Sequence, residues 1–322
     1  MAKRVDNVTV LLPAFNEENG IENAVSEICN YLSQCCRKYE ICIVDDGSSD
    51  NTWEKIKYLS TIFPVRGIRL SRNFGKESAL RAGLEYVKTD YVLIMDSDLQ
   101  HPPHVIPEMF KMMSEIDADV IDGIKEERGN ESLIYKILSL SFYKIFSKLT
   151  NINLQHASDF KLLNRKAIDA YLTMTERTLF FRGMSAWIGF KRGYVRYKTH
   201  ERLVGSSKWS TSGLINLARN AIISFSSSLL HVPTYIGLFF CLFAFVVIVE
   251  SVYKKFMNQS AEGFPTVIVM LGILGGSILI SLGIIGEYLA KIYEEVKRRP
   301  TYLISEEINY VKSKRKNNSN SR

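Results

Sequence analysis

The stretch YVLIMDSDLQHPP, Tyr91 to Pro103, joins an apolar run of strand type to two carboxylates spaced two residues apart, and then to a pair of prolines. A strand has to end here, because Pro102 and Pro103 cannot continue a ladder and favour the start of a helix. Asp96 and Asp98 therefore stand at a strand's carboxyl end. Two readings are open for them. They solvate a turn, or they converge on a hard divalent cation with the amide oxygen of Gln100 as a third ligand. His101 has the same two readings, as a neighbouring ligand or as a support for the turn.

The pattern recurs upstream. Val8 to Pro13, Ile41 to Val44 and Val65 to Leu70 are apolar runs that also end in polar clusters, and helix-type patterns fill about 18–36, 52–62 and 76–87. Strands alternating with helices predict an α/β domain with a mostly parallel sheet. Ligands of such sheets bind outside the carboxyl ends of the strands. Four loops then share one edge: PAFNEE (13–18), DDGSSDNT (45–52), SRNFGKE (71–77) and DSDLQ (96–100).

The first strand is not followed by G-x-G-x-x-G and the chain has no G-x-x-x-x-G-K-[ST], which argues against a dinucleotide or P-loop site. Carboxylates at this edge favour a nucleotide held through a cation, with Asp45 or Asp46 free to bond its base or ribose. Ser49, Asp50 or Asn51 is expected to cap the following helix.

Over 322 residues the 46% hydrophobic content conceals a division. Residues 1–205 mix charge with apolar runs, whereas 232–288 hold two long stretches almost without charge, Thr234 to about Tyr253 and Thr266 to Gly286. Each approaches the roughly 20 residues of a bilayer-spanning helix. Gly272, Gly275, Gly276 and Gly283 suit close helix packing and a homo-oligomer formed through these helices.

The segment between the spans is short and the residues after them are basic, so the positive-inside rule predicts a multi-pass protein with its catalytic part and both termini in the cytoplasm. Lys254 and Lys255 run against that bias. Met1 to Asn7 leads straight into strand-type sequence, without a secretory signal. The expected division is therefore 1–205 catalytic, 206–231 juxtamembrane, 232–288 two membrane helices and 289–322 a basic tail.

The net charge of +7 is concentrated around the lipid-facing parts, which fits anionic headgroups rather than nucleic acid. Five cysteines lack metal-ligand spacing and are expected to be reduced and structural. In LIYKILSLSFYKIFSKL (133–149), Lys136, Lys144 and Lys148 fall on one side of a helix and large apolar residues on much of the rest, the pattern of an interfacial helix. A second such candidate covers about 212–230.

The ordered set LLPAFNEE, IVDDGSSDNT, LSRNFGKE, MDSDLQHPP, SDFKLLNRKAI, FFRGMSAWIGF and ERLVGSSKW, followed by two membrane helices and GEYLAKIYEEVKRRP, resembles the polyprenyl-phosphate glycosyltransferases of glycosyltransferase family 2. This group contains bactoprenol glucosyltransferases and is related to dolichol-phosphate mannose synthases. The resemblance covers all but about the last dozen residues. It implies a GT-A fold, a nucleotide-sugar donor, Mg2+ or Mn2+, and a polyprenyl phosphate acceptor at the bacterial inner membrane.

The resemblance also implies roles. Asp96, Asp98 and Gln100 match the metal motif, and Pro13, Phe15 and Glu17 match the nucleobase loop, joined by Asp45 and Asp46. Ordinary strand packing is an equal reading for Phe15. Lys76, following Arg72 and Asn73, faces the donor.

Asp159 invites the role of general base, but a phosphate monoester has a second pKa near 6 and is already anionic at pH 7. Asp159 is therefore expected to orient the acceptor or the sugar. Two anions must still meet, so cations are needed. The candidates are Arg128, Arg182, Arg202 and Lys208, each with solvated surface as its other reading.

The expected reaction is inverting transfer of one hexose, glucose from UDP-glucose, to undecaprenyl phosphate. GDP-mannose, UDP-N-acetylglucosamine or a UDP-aminoarabinose derivative is the alternative donor. A lipid-linked sugar flippase and a silent membrane scaffold are the readings from other classes.

Overall fold

The computed structural model describes residues 5–126, 158–198, 228–257 and 264–310, with a few single positions between 144 and 152. The chain forms two compact units, Met1–Thr211 with Pro300–Arg322, and Ser212–Arg299.

In the first unit the four predicted strands are present as β1 (Val8–Ala14), β2 (Tyr39–Asp45), β3 (Val65–Leu70) and β4 (Tyr91–Ile94). Between them run α1 (Ile21–Cys35), α2 (Thr52–Ile62) and α3 (Lys76–Tyr86). The first strand is buried along its whole length, as a central parallel strand covered on both faces has to be.

Pro13 lies inside β1, opposite Val44 of β2. It is tolerated because its nitrogen faces the β4 side, where pairing has already ended at Leu11 and Ile94, so no ladder bond is lost. At Gly83 of α3 an added Cβ would lie 2.2 Å from Leu11 Cδ1, so a larger residue there would force the Leu11 side chain to move where α3 packs on β1.

Later elements extend the sheet: α4 (Ile106–Ile116), β5 (Val120–Lys125), β6 (Lys161–Asn164), α5 (Arg165–Thr173), α6 (Phe181–Trp187), β7 (Arg192–Tyr197) and β8 (Ile304–Ile308). The strand order is β7-β5-β6-β4-β1-β2-β3-β8. Pairs among β1 to β4 are parallel, as is β5 with β7, whereas β6 runs antiparallel to β4 and β5, and β8 antiparallel to β3. This is a GT-A-like α/β fold with a mostly parallel sheet.

From β1 the chain moves outward to β2 and β3 and then returns to the other side of β1 with β4. The carboxyl ends of β1 and β4 thus flank the switch point at which such sheets take ligands. Because β6 is antiparallel to β4, its first residue, Lys161, pairs with Ile94 at β4's carboxyl end. That register brings Asp159 to the same edge as Asp96.

The division expected from the sequence changes at its end. Residues 289–297, read as the start of a tail, continue a helix, and residues 304–308 return to the first unit as an edge strand. β8 is a strand through its pairing with β3, since its own pattern, partly buried Ile304 and Ile308 around exposed Ser305, Glu306 and Glu307, shows no alternation that the sequence could reveal.

The second unit contains α7 (Val232–Phe256) and α8 (Phe264–Lys297). Within α8, Val269–Lys297 spans 29 residues and contains an 18-residue stretch with a mean hydropathy of 2.2, long and apolar enough to cross a membrane. The apolar part of α7, Val232–Val247, is shorter. Among the described residues one helix is thus long and apolar enough to span, and the expected two-helix hairpin is not shown.

Ser277 and Ser281 donate to the carbonyls of Leu274 and Ser277 at 2.9 and 2.8 Å, so these hydroxyls need no water. Nothing among the described residues lies within 4 Å of a Cβ built on Gly272, Gly275, Gly276 or Gly283. The interfacial-helix candidates at 133–149 and 212–230 fall almost wholly outside the described residues.

Candidate active site

Each strand end delivers a loop, and the loops are bonded to one another. After β1, Asn16 adopts φ of 55°, a left-handed conformation that asparagine tolerates better than most residues. Its amide donates to Ser48 Oγ at 2.9 Å, and its side-chain oxygen accepts from the Ser49 amide at 2.9 Å. The amide of Glu17 donates to Thr52 Oγ1 at 2.8 Å. Phe15, two-fifths exposed, stands at the edge beside them. At the start of α2 the cap position is Asn51, whose side chain makes no capping bond, and Oδ1 of Asp50, just before it, accepts from the Thr52 amide at 3.0 Å.

Asp45 and Asp46, expected to meet the nucleoside, are buried at the strand end and bonded within the protein. Asp45 Oδ1 accepts from the Ser48 amide at 3.0 Å, and its Oδ2 lies 3.3 Å from Arg69 Nε. Asp46 accepts from the amides of Phe74 and Gly75 at 2.7 and 2.8 Å. Burial raises both pKa values, against the opposing pull of those amides. Gly47, with φ of +67°, presses on the Arg72 backbone, where an added Cβ would come within 2.4 Å of the Arg72 carbonyl carbon. These carboxylates lock the second and third loops together, and Pro13 is likewise buried under the edge.

The loop after β4 is tied down by His101. Its Nδ1 accepts from the Asp96 amide at 2.9 Å, and its ring stacks on Phe160 with centroids 4.9 Å apart. Burial lowers its pKa, so at neutral pH the ring is uncharged and Nδ1 can accept. His101 is a support for the turn. Leu99 has φ of 58°, and the Gln100 amide donates to Asp98 Oδ1 at 3.1 Å, closing a tight turn that presents Asp96 and Asp98 together.

Around them an ionic chain extends. Lys76 Nζ, at the start of α3, is 2.5 Å from Asp96 Oδ1 and 2.9 Å from Asp159 Oδ2. Arg182 of α6 donates Nε and Nη2 to the two oxygens of Asp159 at 2.7 and 2.8 Å. Burial disfavours charge on Asp159, but Arg182 and Lys76 outweigh it and hold its pKa well below the ordinary carboxylate range. Burial likewise opposes the charge on Lys76, and Asp159 and Asp96 override it.

Glu77 was not singled out in the sequence. Its Oε2 accepts from the Phe181 amide at 2.6 Å and so fixes the start of α6, and burial together with Asp159 raises its pKa to about 7. Lys161 and Asp122, partners across β6 and β5, form a fully buried ion pair beneath the site. The acidic and basic letters were visible, but only strand register makes them neighbours.

Asp96, Asp98 and Gln100 offer oxygen ligands suited to Mg2+ or Mn2+. Among the described residues no three His, Cys, Asp or Glu form a metal cluster. The donor set still fits a hard cation that takes its remaining ligands from substrate oxygens and water, since the Lys76 ammonium already occupies a cationic position against Asp96. Arg128, Arg202 and Lys208 lie outside the described residues. All five cysteines are free.

Comparison with known proteins bears on this edge. The sequence model of Glycosyl transferase family 2 matches residues 9–172, which span β1 to α5. The chain is 37% identical to CsbB of Bacillus subtilis, named a glycosyltransferase, over 93% of this chain and 91% of that one. It is 34% identical to the SfII prophage-derived bactoprenol glucosyl transferase of Shigella flexneri, over 92% and 97%. A solved structure of glucosyl-3-phosphoglycerate synthase from Mycobacterium tuberculosis aligns with 69% of this chain and 78% of its own, at 20% identity and a TM-score of 0.48.

Proposed function

The chain belongs to glycosyl transferase family 2, and we propose that it moves one glucose from UDP-glucose to undecaprenyl phosphate at the cytoplasmic face of a membrane. The names of its relatives support the sugar and the lipid. The observation that carries the reading is the run of alternating charges from Asp96 through Lys76 and Asp159 to Arg182 at the sheet's ligand edge. Two anions, a sugar nucleotide and a lipid phosphate, have to meet in this reaction. Cations held in fixed positions between carboxylates are suited to receive them.

The acceptor oxygen is anionic at pH 7 and attacks the anomeric carbon, forming the new C–O bond while the bond from that carbon to the diphosphate oxygen breaks. The electron pair leaves with UDP, and configuration at the sugar inverts through an oxocarbenium-like state. Asp159, held ionised by two cations, serves as a positioning residue, because proton abstraction is not required. Asp96, Asp98 and Gln100 would hold Mg2+ or Mn2+, which when bound supplies positive charge to the departing diphosphate. Lys76 faces the donor, and Arg182, with Arg128, Arg202 and Lys208, offsets the acceptor's charge.

The two helices of the second unit form a membrane hairpin in this reading, and self-association runs through them. Its orientation is supported by β8, which belongs to the same sheet as the family motifs, so that residues 304–308 share their compartment. A screen of radiolabelled sugar nucleotides against a short polyprenyl phosphate tests the reading. UDP-glucose is expected to give labelled lipid. Transfer from another nucleotide alone overturns the donor, and absence of transfer from every donor overturns the activity.

A further inference from the structure

We propose that Glu306 is a positioning residue for nucleotide-sugar binding, acting through Arg69 on the loop after β2. The inference rests on the donor reading above.

Arg69 sits near the end of β3, and its guanidinium is divided three ways. Nε lies 3.3 Å from Asp45 Oδ2, Nη2 donates to the Ser48 carbonyl at 3.3 Å, and Nη1 donates to Glu306 Oε1 at 3.3 Å. Asp45 Oδ2 is buried and makes no hydrogen bond of good geometry among the described residues, so Arg69 is the cation opposing its charge. Glu306 is the register partner of Arg69 across β3 and β8, and its other oxygen accepts from the buried Trp53 indole at 3.0 Å. The edge is also tied by the Ser71 amide, which donates to the Leu303 carbonyl at 2.8 Å.

What Arg69 holds is the centre of the donor edge. Ser48 receives the Asn16 amide, which aims the loop carrying Phe15 and Glu17. Asp46, next to Asp45, receives the amides of Phe74 and Gly75, which place Lys76. Removing the Glu306 charge leaves Arg69 Nη1 without its carboxylate, so that only Asp45 and the Ser48 carbonyl still fix the guanidinium and its grip on the loop after β2 loosens. The chain leaves this unit near residue 211 and returns at 300. Donor affinity therefore depends on residues synthesised after the helical unit.

The test uses the full chain in detergent, with UDP-glucose as the probe. Glu306→Gln keeps an oxygen for the Trp53 indole while removing the charge and the oxygen that accepts from Arg69, and it weakens the 3.6 Å pairing with Lys57, whereas Glu306→Asp keeps the charge. Expected for Glu306→Gln is a rise of about tenfold or more in the Kd and KM for UDP-glucose, the scale of one lost charged hydrogen bond, with kcat and acceptor KM within about twofold. Glu306→Asp should recover part of the loss. A lowered melting temperature with unchanged donor KM would mean a merely structural strand and overturns the proposal. If the wild-type chain binds UDP-glucose and Glu306→Gln binds it equally, only this proposal fails. If the wild-type chain binds no UDP-glucose, the donor reading fails and takes this one with it.

Discussion

Arg182 grips both oxygens of Asp159, at 2.7 and 2.8 Å, in the paired geometry that suits a guanidinium to a carboxylate. An acid so held does not gain protons in the working range. Between about pH 5 and 8 the turnover of the wild-type enzyme should show no limb belonging to Asp159. Asp159→Asn should lower turnover without adding such a limb, and Arg182→Ala should cost about 1 to 2 kcal/mol of stability, discounted for the partial exposure of Arg182. Its native pKa being depressed, Asp159 contributes stability above its unfolded value, and that contribution is lost as pH falls through the native value. Rate profiles and thermal melts of the variants check both statements.

Asp98 makes one hydrogen bond among the described residues, from the Gln100 amide to Oδ1. Asp98→Asn keeps an oxygen for that bond and removes the charge. It should fold and melt as the parent does while losing about two powers of ten or more in transfer at saturating Mg2+ or Mn2+. Near-normal turnover would remove Asp98 from the cation site.

Glu77 predicts a stability effect of the opposite sign. Burial raises its pKa to about 7 from an ordinary 4.5, so between these values the folded chain binds more protons than the unfolded one. Stability contributed by this group falls as pH rises through that window. In Glu77→Gln the fall in melting temperature between pH 5 and pH 8 should be smaller than in the parent. Equal falls would show that Glu77 titrates normally.

Arg202 and Lys208 flank a Gly-Ser-Ser segment and are proposed to receive the acceptor phosphate. Replacing either by Ala should lower turnover with a soluble short-chain acceptor about tenfold or more, since a charge-assisted bond in a dry site is worth roughly 1.5 to 3 kcal/mol. Unchanged turnover for both would return the search to Arg128 and Arg182.

With β8 in the catalytic sheet, a cysteine near residue 258 should be labelled by an impermeant reagent from outside intact cells. One near 310 should be protected, in a background without the native cysteines. The reverse pattern would invert the proposed orientation.

The amino-acid sequence by itself determined β1 to β4, the helices between them and the shared edge of four loops. Those features rest on local periodicity and on prolines and acidic residues that end strands, information carried within a few residues. It also held the family resemblance that Glycosyl transferase family 2 bears out over 9–172. Tertiary structure alone decided which carboxylates face inward. That Asp45 and Asp46 are buried and take the amides of Ser48, Phe74 and Gly75 could not be read from the strand end itself, because the loop after β3 has to fold over it. Lys76 meets Asp159 across 83 positions, and Arg69 meets Glu306 across 237. An ion pair of that span is set by strand order and register, which place two side chains within a few ångströms and have no local pattern from which they can be read.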